Sequence, residues 1–319
     1  MVKSDNIQTA LNRLKNITGF VTTLCRGGDF RPSVFNRYDH VNRVWLVNQL
    51  LCRALGADPT QSSEIVVLHD LNRWPFAQNS ERGRFDQIDN AWEYLPCLDP
   101  GISTPVVNDV VSLHKKEMPR MRKGSKYALA ADFLAGLAED PLLITAGLNA
   151  HPELIPARIA SLLCLDFSEE GIGALRRLCT SLNKERNIGL FSSLFQNLFE
   201  MQCSRLIDKY TSNRRTVETV LNAIAFDALY VKEEFLRPVV FPINNECVCH
   251  ASFIQNSVLS VIINDMGLDA AKNYLLSVDE PGLIAKIREK EYVTDCELQG
   301  LYPDLDYTSS SLSHVKCFV

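Results

Sequence analysis

Apolar positions recur at steps of three and four through most of the chain, and long alternating runs are scarce. That periodicity predicts helices rather than strands. Over residues 40–55, Val44, Val47 and Leu51 fall on the same side as His40. Asp58-Pro59 predicts the next start, with an acidic N-cap, proline at the first helical position and Gln61 three after the cap. This helix runs through "SSEIVVLHD" toward Pro75. Thr104-Pro105 opens another in the same way. Val107, Val111 and His114 share one of its faces, and Pro119 limits it. "KGS" at 123–125 supplies a turn and a serine cap for "KYALAADFLAGLAED".

The second half carries further amphipathic patterns in "GIGALRRLCTSL", "IGLFSSLFQNLFEMQCSRLIDKY" and "ASFIQNSVLSVIINDM". No fixed-period repeat is present, which argues against a solenoid. "LRPVVFP" is apolar enough to be extended, but its prolines make it a poor central strand. The expected class is all-α. A histidine-bearing core over 1–145 is followed by a helical region over 146–305 packed on it and a polar tail over 306–319.

Composition narrows the function classes. With 319 residues and 46% hydrophobic content, the chain buries a substantial core. A net charge of −5 gives no global argument for nucleic-acid binding. No apolar run reaches the roughly 18 residues a membrane span needs, and the first residues lack the apolar heart of a secretory signal. Ten cysteines without regular spacing read as reduced thiols. The expectation is a cytoplasmic protein with no membrane association.

Chemistry concentrates in four residues: His40, the adjacent pair His69-Asp70, and Asp132. Each falls on a predicted helix whose apolar neighbours turn it inward. Two imidazoles and two carboxylates suit a divalent cation such as Mn, Fe, Co, Mg or Zn, with water completing the shell. Any one of them alone would read as a structural polar residue. Three soft or borderline ligands in "CVCH" at 247–250 lack a second pair to close a zinc site. No Walker-type glycine loop and no Gly-x-Ser-x-Gly elbow is present.

The order His…His-Asp…Asp on successive helices resembles the HD superfamily of metal-dependent phosphohydrolases. "RYDH" at 37–40 resembles the Arg-x-x-His of its deoxynucleoside triphosphate triphosphohydrolase (dGTPase-like) branch. "HDLNRWPFAQNSE" is similar to that branch's His-Asp-Leu-Gly-x-x-Pro-Phe-x-His-x-x-Glu segment, and "AADFLAGLAED" to its Ala-Ala-Asp segment. The likeness is specific over 31–141 and loose over roughly 200–290. It implies an HD-domain helical fold with an additional C-terminal helical region. It also implies His40, His69, Asp70 and Asp132 as metal ligands, Arg37 as a phosphate clamp and Asp140 near the sugar hydroxyls. Glu81 matches a glutamate that supports a catalytic histidine in some members. Relatives of this kind commonly assemble, so a homo-oligomer is expected.

Departures from the pattern bear on the chemistry. Gln78 stands where the family carries a histidine after Pro-Phe; an amide positions water but is not a general acid. Asn72 replaces the glycine after His-Asp-Leu, and Arg73-Trp74 enlarges and charges that turn, making Arg73 a substrate-binding candidate. Gly136 lies where several relatives place a sugar-gating tyrosine, so ribose exclusion is not implied. His114 matches an extra histidine that serves a second metal or the phosphate in many HD enzymes. It opens the basic run "HKKEMPRMRKGSK", which either focuses phosphate charge or is a helix end where Lys115 and Lys116 complement the C-terminal dipole.

The leading expectation is therefore hydrolysis of (deoxy)nucleoside triphosphates to nucleoside and triphosphate, with His114, Glu81 and Gln78 as catalytic candidates. The alternatives are an HD phosphomonoesterase or phosphodiesterase, an HD di-iron oxygenase, and a nucleotide sensor with weak turnover.

Overall fold

A computed structural model describes residues 5–17, 36–76, 78–81, 84–116, 118, 121–147, 155–166, 168–183, 188–212, 216–235, 256 and 258–289. Among them the regular structure is entirely helical, as the apolar spacing predicts. The order is α1 (Asp5–Leu14), α2 (Arg37–Ala54), α3 (Thr60–Leu68), α4 (Gln78–Glu81), α5 (Gln87–Leu98), α6 (Thr104–Lys115) and α7 (Lys123–Gly147). There follow α8 (Ala157–Leu162), α9 (Glu169–Asn183), α10 (Ile188–Ser212), α11 (Val217–Val231), α12 (Leu268–Ser277) and α13 (Glu280–Glu289). Residues 258–266 are helical as well. No helix among the described residues is long and apolar enough to cross a membrane.

The centre of the fold is α7. Its "ALAADFLAGLA" run is apolar nearly all round, the signature of a helix buried on every side. Small alanines let α2, α3, α6, α9, α10 and α11 all approach it. Ala128, Leu129, Ala131, Leu134 and Ala138 are fully buried there. Truncating Leu129 or Leu134 to alanine costs about 2–5 kcal/mol by the usual cavity penalty. One continuous cluster joins this core to Phe191, Phe199, Leu206 and Ile224, so helices on both sides of residue 145 share it. The boundary expected at that position falls inside α7.

Several ends differ in detail from the pattern in the sequence. α2 begins at Arg37 rather than His40, because the Asn36 side chain accepts from Asp39 N at 2.9 Å and caps it. Asp58 anchors α3 as expected, accepting from Thr60 N at 3.0 Å, but the helix proper starts after Pro59. It stops at Leu68 and does not continue toward Pro75. Turn bonds from Leu71 N to Leu68 O and from Arg73 N to Asp70 O replace it, and the residue before a proline disfavours helix. Ser125 is not the cap of α7, which starts two residues earlier. Its hydroxyl instead donates to Asp109 Oδ1 at 2.6 Å, where Arg122 Nε also donates at 2.8 Å. Asp109 is buried, and a buried carboxylate takes whatever partners it can reach. α6 ends where Lys116 turns left-handed, φ 57°. Pro119, "LRPVVFP", "CVCH" and the polar tail lie outside the described residues.

A second apolar cluster covers the turn after His69-Asp70. Trp74 and Phe85 stack at 5.0 Å and pack with Leu259, Leu275 and Leu283. Trp74 Nε1 donates to Lys272 O at 3.1 Å, and Phe76 N donates to Glu280 Oε1 at 3.0 Å. From the other side, Arg13 Nη2 of α1 donates to Leu71 O at 3.0 Å and Arg73 O at 2.7 Å. Its Nη1 reaches Val278 O at 3.4 Å.

Candidate metal centre

α2 contributes Arg37, His40 and Arg43 at three-residue steps along the side facing α7. Two carboxylates of α7, seven positions apart, meet this row. Nδ1–H of His40 donates to Glu139 Oε2 at 2.9 Å, while His40 Nε2 lies 3.3 Å from Asp132 Oδ1. Arg43 Nε donates to the other Glu139 oxygen at 2.6 Å, and its guanidinium lies over Phe195 and Phe199 of α10. Burial opposes the Glu139 charge, but Arg43 and His40 outweigh it and hold the carboxyl below its ordinary range.

His69 ends α3 and Asp70 begins the turn. His69 Nδ1–H donates to Val66 O at 2.6 Å, which assigns the tautomer and leaves Nε2 as an acceptor. Asp70, 1% exposed, accepts from Arg73 Nε at 2.8 Å on Oδ1 and from Arg37 Nη1 at 3.3 Å on Oδ2. Burial favours its protonation, but His69, Arg73, Arg37 and His40 together keep it ionised. Arg73 continues to Glu81, with Nη1 to Oε1 at 2.6 Å.

Donor atoms of His40, His69 and Asp70 all lie within 4.8 Å of one another. Two ligands bonded to one cation at about 2.1 Å stand at most about 4.2 Å apart, so these three need only close slightly to share one. Asp132 touches His40 but sits beside this set rather than within it. The donors fit a first-row divalent ion: neutral imidazole nitrogen and ionised carboxylate oxygen, with each imidazole's other nitrogen anchored. Metal-free, His40 keeps its proton, with its pKa pushed up to about 10: burial resists, but Glu139 and Asp132 win.

A cavity of about 570 Å³ opens over these residues, lined also by His114, Lys116, Gly136, Asp140 and, from the end of α11, Leu229 and Lys232. That is within the usual size range of small-molecule pockets. His114 Nε2 is buried and makes no hydrogen bond. Burial and then Arg73 drive its pKa down to about 3, so the ring is neutral. Asp140 is pushed up to about 7 by burial and by Glu139, with Asp132 adding to it.

Of the sequence candidates, the cavity gathers His40, His69, Asp70, Asp132, Arg37, Arg73, Glu81, His114 and Asp140. Lys115 is exposed and does not line it; the left-handed turn at Lys116 puts that lysine there instead, 5.1 Å over Phe133. Glu81 holds Arg73 rather than a histidine. The Gln78 side chain lies outside the described residues. Sequence reasoning missed Glu139, Arg43 and Lys232. The signal for Glu139 was a carboxylate two helical turns beyond Asp132 inside an otherwise apolar run. No known protein-family model matches the chain, and no curated protein matches it in sequence.

Proposed function

We propose that this chain is a metal-dependent nucleotide phosphohydrolase of the HD type, cleaving (deoxy)nucleoside triphosphates to nucleoside and triphosphate. The observation that carries the reading is the pairing of anchored imidazoles with ionised carboxylates. His40 and His69 each commit Nδ1, to Glu139 and to Val66 O, and expose Nε2 to Asp70 or Asp132. Buried imidazoles are hydrogen-bonded in any fold, but here donor atoms of His40, His69 and Asp70 also converge within 4.8 Å of one another.

His40, His69 and Asp70 would hold the cation, with Asp132 completing the ligand set. When bound, the metal acts as a Lewis acid toward water and a phosphoryl oxygen. The chain's own groups do the rest. Arg37 and Lys232 present positive charge to the phosphates along the cavity wall, where gathering charge is most in need of fixed donors. Phe133, Leu137 and Leu229 supply apolar surface for the nucleoside. His114, neutral and with Nε2 unengaged, accepts a hydrogen bond from a ligand entering its side. Asp140, carrying a proton for part of the time at neutral pH, donates to or accepts from a sugar hydroxyl.

The test is one panel. The purified chain is analysed for metal, then reloaded with Mn, Fe, Co, Mg or Zn and offered dNTPs, NTPs and monophosphates. Inorganic triphosphate with free nucleoside is the expected product. Free orthophosphate would indicate a phosphomonoesterase on the same centre, and an oxidised product would indicate oxygenase chemistry. Tight nucleotide binding without any product would leave a sensor.

A further inference from the structure

The cavity lining carries three further potential ligand atoms that the first cation does not use. Asp70 offers two oxygens, of which Oδ1 points away from the His69 side and is taken by Arg73 Nε at 2.8 Å. Glu81 Oε1 is taken by Arg73 Nη1 at 2.6 Å. His114 contributes an Nε2 that is buried, unpartnered and part of the same cavity lining. A bridging carboxylate, a second carboxylate and an imidazole are what a second divalent ion would need beside the first. Here a guanidinium already joins the two carboxylates.

We infer that Arg73 stands in for a second metal ion, so that the centre holds one cation per chain. This rests on the metal reading given above and adds its nuclearity. The guanidinium is held by two charge-assisted hydrogen bonds in a largely buried position. Arginine stays protonated at any accessible pH, so this positive charge is permanent. It neutralises Asp70 and Glu81 as an ion would, yet it has no coordination site for water or dioxygen. A second cation would have to break both bonds and tolerate the displaced charge next to it. His114 is therefore left as an unligated imidazole in the cavity lining. Di-iron chemistry, which needs two open metal positions, is closed to the wild-type chain.

Manganese is the probe. The chain is stripped, saturated with Mn(II), freed of excess ion and measured for Mn per chain and by electron paramagnetic resonance. Wild type is expected to hold one ion and give an isolated-ion spectrum. Arg73→Ala is expected to hold two, with the spectrum of a coupled pair. Adding His114→Ala or Glu81→Gln to Arg73→Ala is expected to return the count to one. Two ions in wild type would overturn the inference while leaving the metal reading intact, and so would one ion in a folded Arg73→Ala. No ion in wild type would instead sink the metal reading itself. Should Arg73→Ala not fold, Arg73→Gln and the wild-type spectrum carry the same decision.

Discussion

Glu139 Oε2 lies 2.9 Å from His40 Nδ1, and this hydrogen bond decides which imidazole nitrogen faces the cavity. Glu139→Gln keeps the shape but loses the charge that fixes the tautomer and raises the ring's basicity. Metal affinity is expected to fall about 10- to 100-fold, as for other supports of histidine ligands, read by competition with a fluorescent chelator. Glu139→Ala also breaks the buried ion pair with Arg43, at a cost of about 3–5 kcal/mol in denaturant unfolding. Equal metal affinity in wild type and Glu139→Gln would remove Glu139 from the centre.

Proton release should accompany metal binding. Metal-free, His40 holds its proton up to about pH 10, and a cation must displace it. Apparent affinity is therefore expected to rise about tenfold per pH unit from about pH 6 to 9. Calorimetry in buffers of different ionisation heat should count about one proton per ion. For the metal-free fold the sign is opposite. A raised folded pKa stabilises fully below about 6.5 and loses that contribution as pH rises through about 10. Its melting temperature should fall across that window.

Asp140 is held in an unfavourable place. Its carboxyl is pushed up to about 7, mainly by burial. Between about pH 4 and 7 the folded chain keeps a proton there that the unfolded chain has released, so stability falls as pH rises through the window. Asp140→Asn removes the effect. The metal-free variant is expected to melt above wild type at pH 8, with the gap closing by pH 4. A lower melting temperature at pH 8 would contradict it.

Gly136 lines the cavity beside Asp140 and leaves open space there. A Cβ built there meets only Asp140 Oδ2, at 3.9 Å, an ordinary contact. Gly136→Tyr should therefore fold and narrow the cavity. The expected readout is a preference for dNTPs over NTPs larger than in wild type by about tenfold or more in kcat/KM, equivalent to about 1.4 kcal/mol. Parallel losses for both sugars would indicate general obstruction rather than a gate.

Arg37 is buried beside Asp70 and lines the cavity. Arg37→Lys retains charge but loses the planar fork that grips an oxyanion with two parallel bonds. Triphosphate KM should rise about tenfold, or about 1.4 kcal/mol of binding, with less effect on a monophosphate. Unchanged kinetics would return Arg37 to a purely structural partner of Asp70.

The helical class and the order of the four ligand candidates were legible because apolar spacing and residue order survive in one dimension. His40, Val44, Val47 and Leu51 share a stripe in the sequence and a face of α2 in space. What spacing could not reveal was who answers whom. Glu139 precedes the more conspicuous Asp140, and helical phase alone does not say which carboxylate meets α2. Arg73 reads as a substrate-binding charge in the sequence, but the turn after Leu68 brings it back onto Asp70 and Glu81. Lys115 and Lys116 differ by one residue, and only the left-handed turn at Lys116 separates the one in the cavity from the one outside it.

The clasp around residues 71–76 sets an order of events during synthesis. Arg13 of α1 holds the carbonyls of Leu71 and Arg73, while Trp74 and Phe76 are tied to Lys272 and Glu280. Asn16 Nδ2 donates to Asp279 Oδ2 at 2.8 Å, joining the two clasping segments directly. A ribosome delivers α1 long before Glu280, so the turn bearing Asp70 remains half-secured while the helices between are made. The ligands on α2 and α7 can pair early, but the centre matures last, and a chain stalled before Glu280 would carry every proposed metal ligand without the grip that positions them.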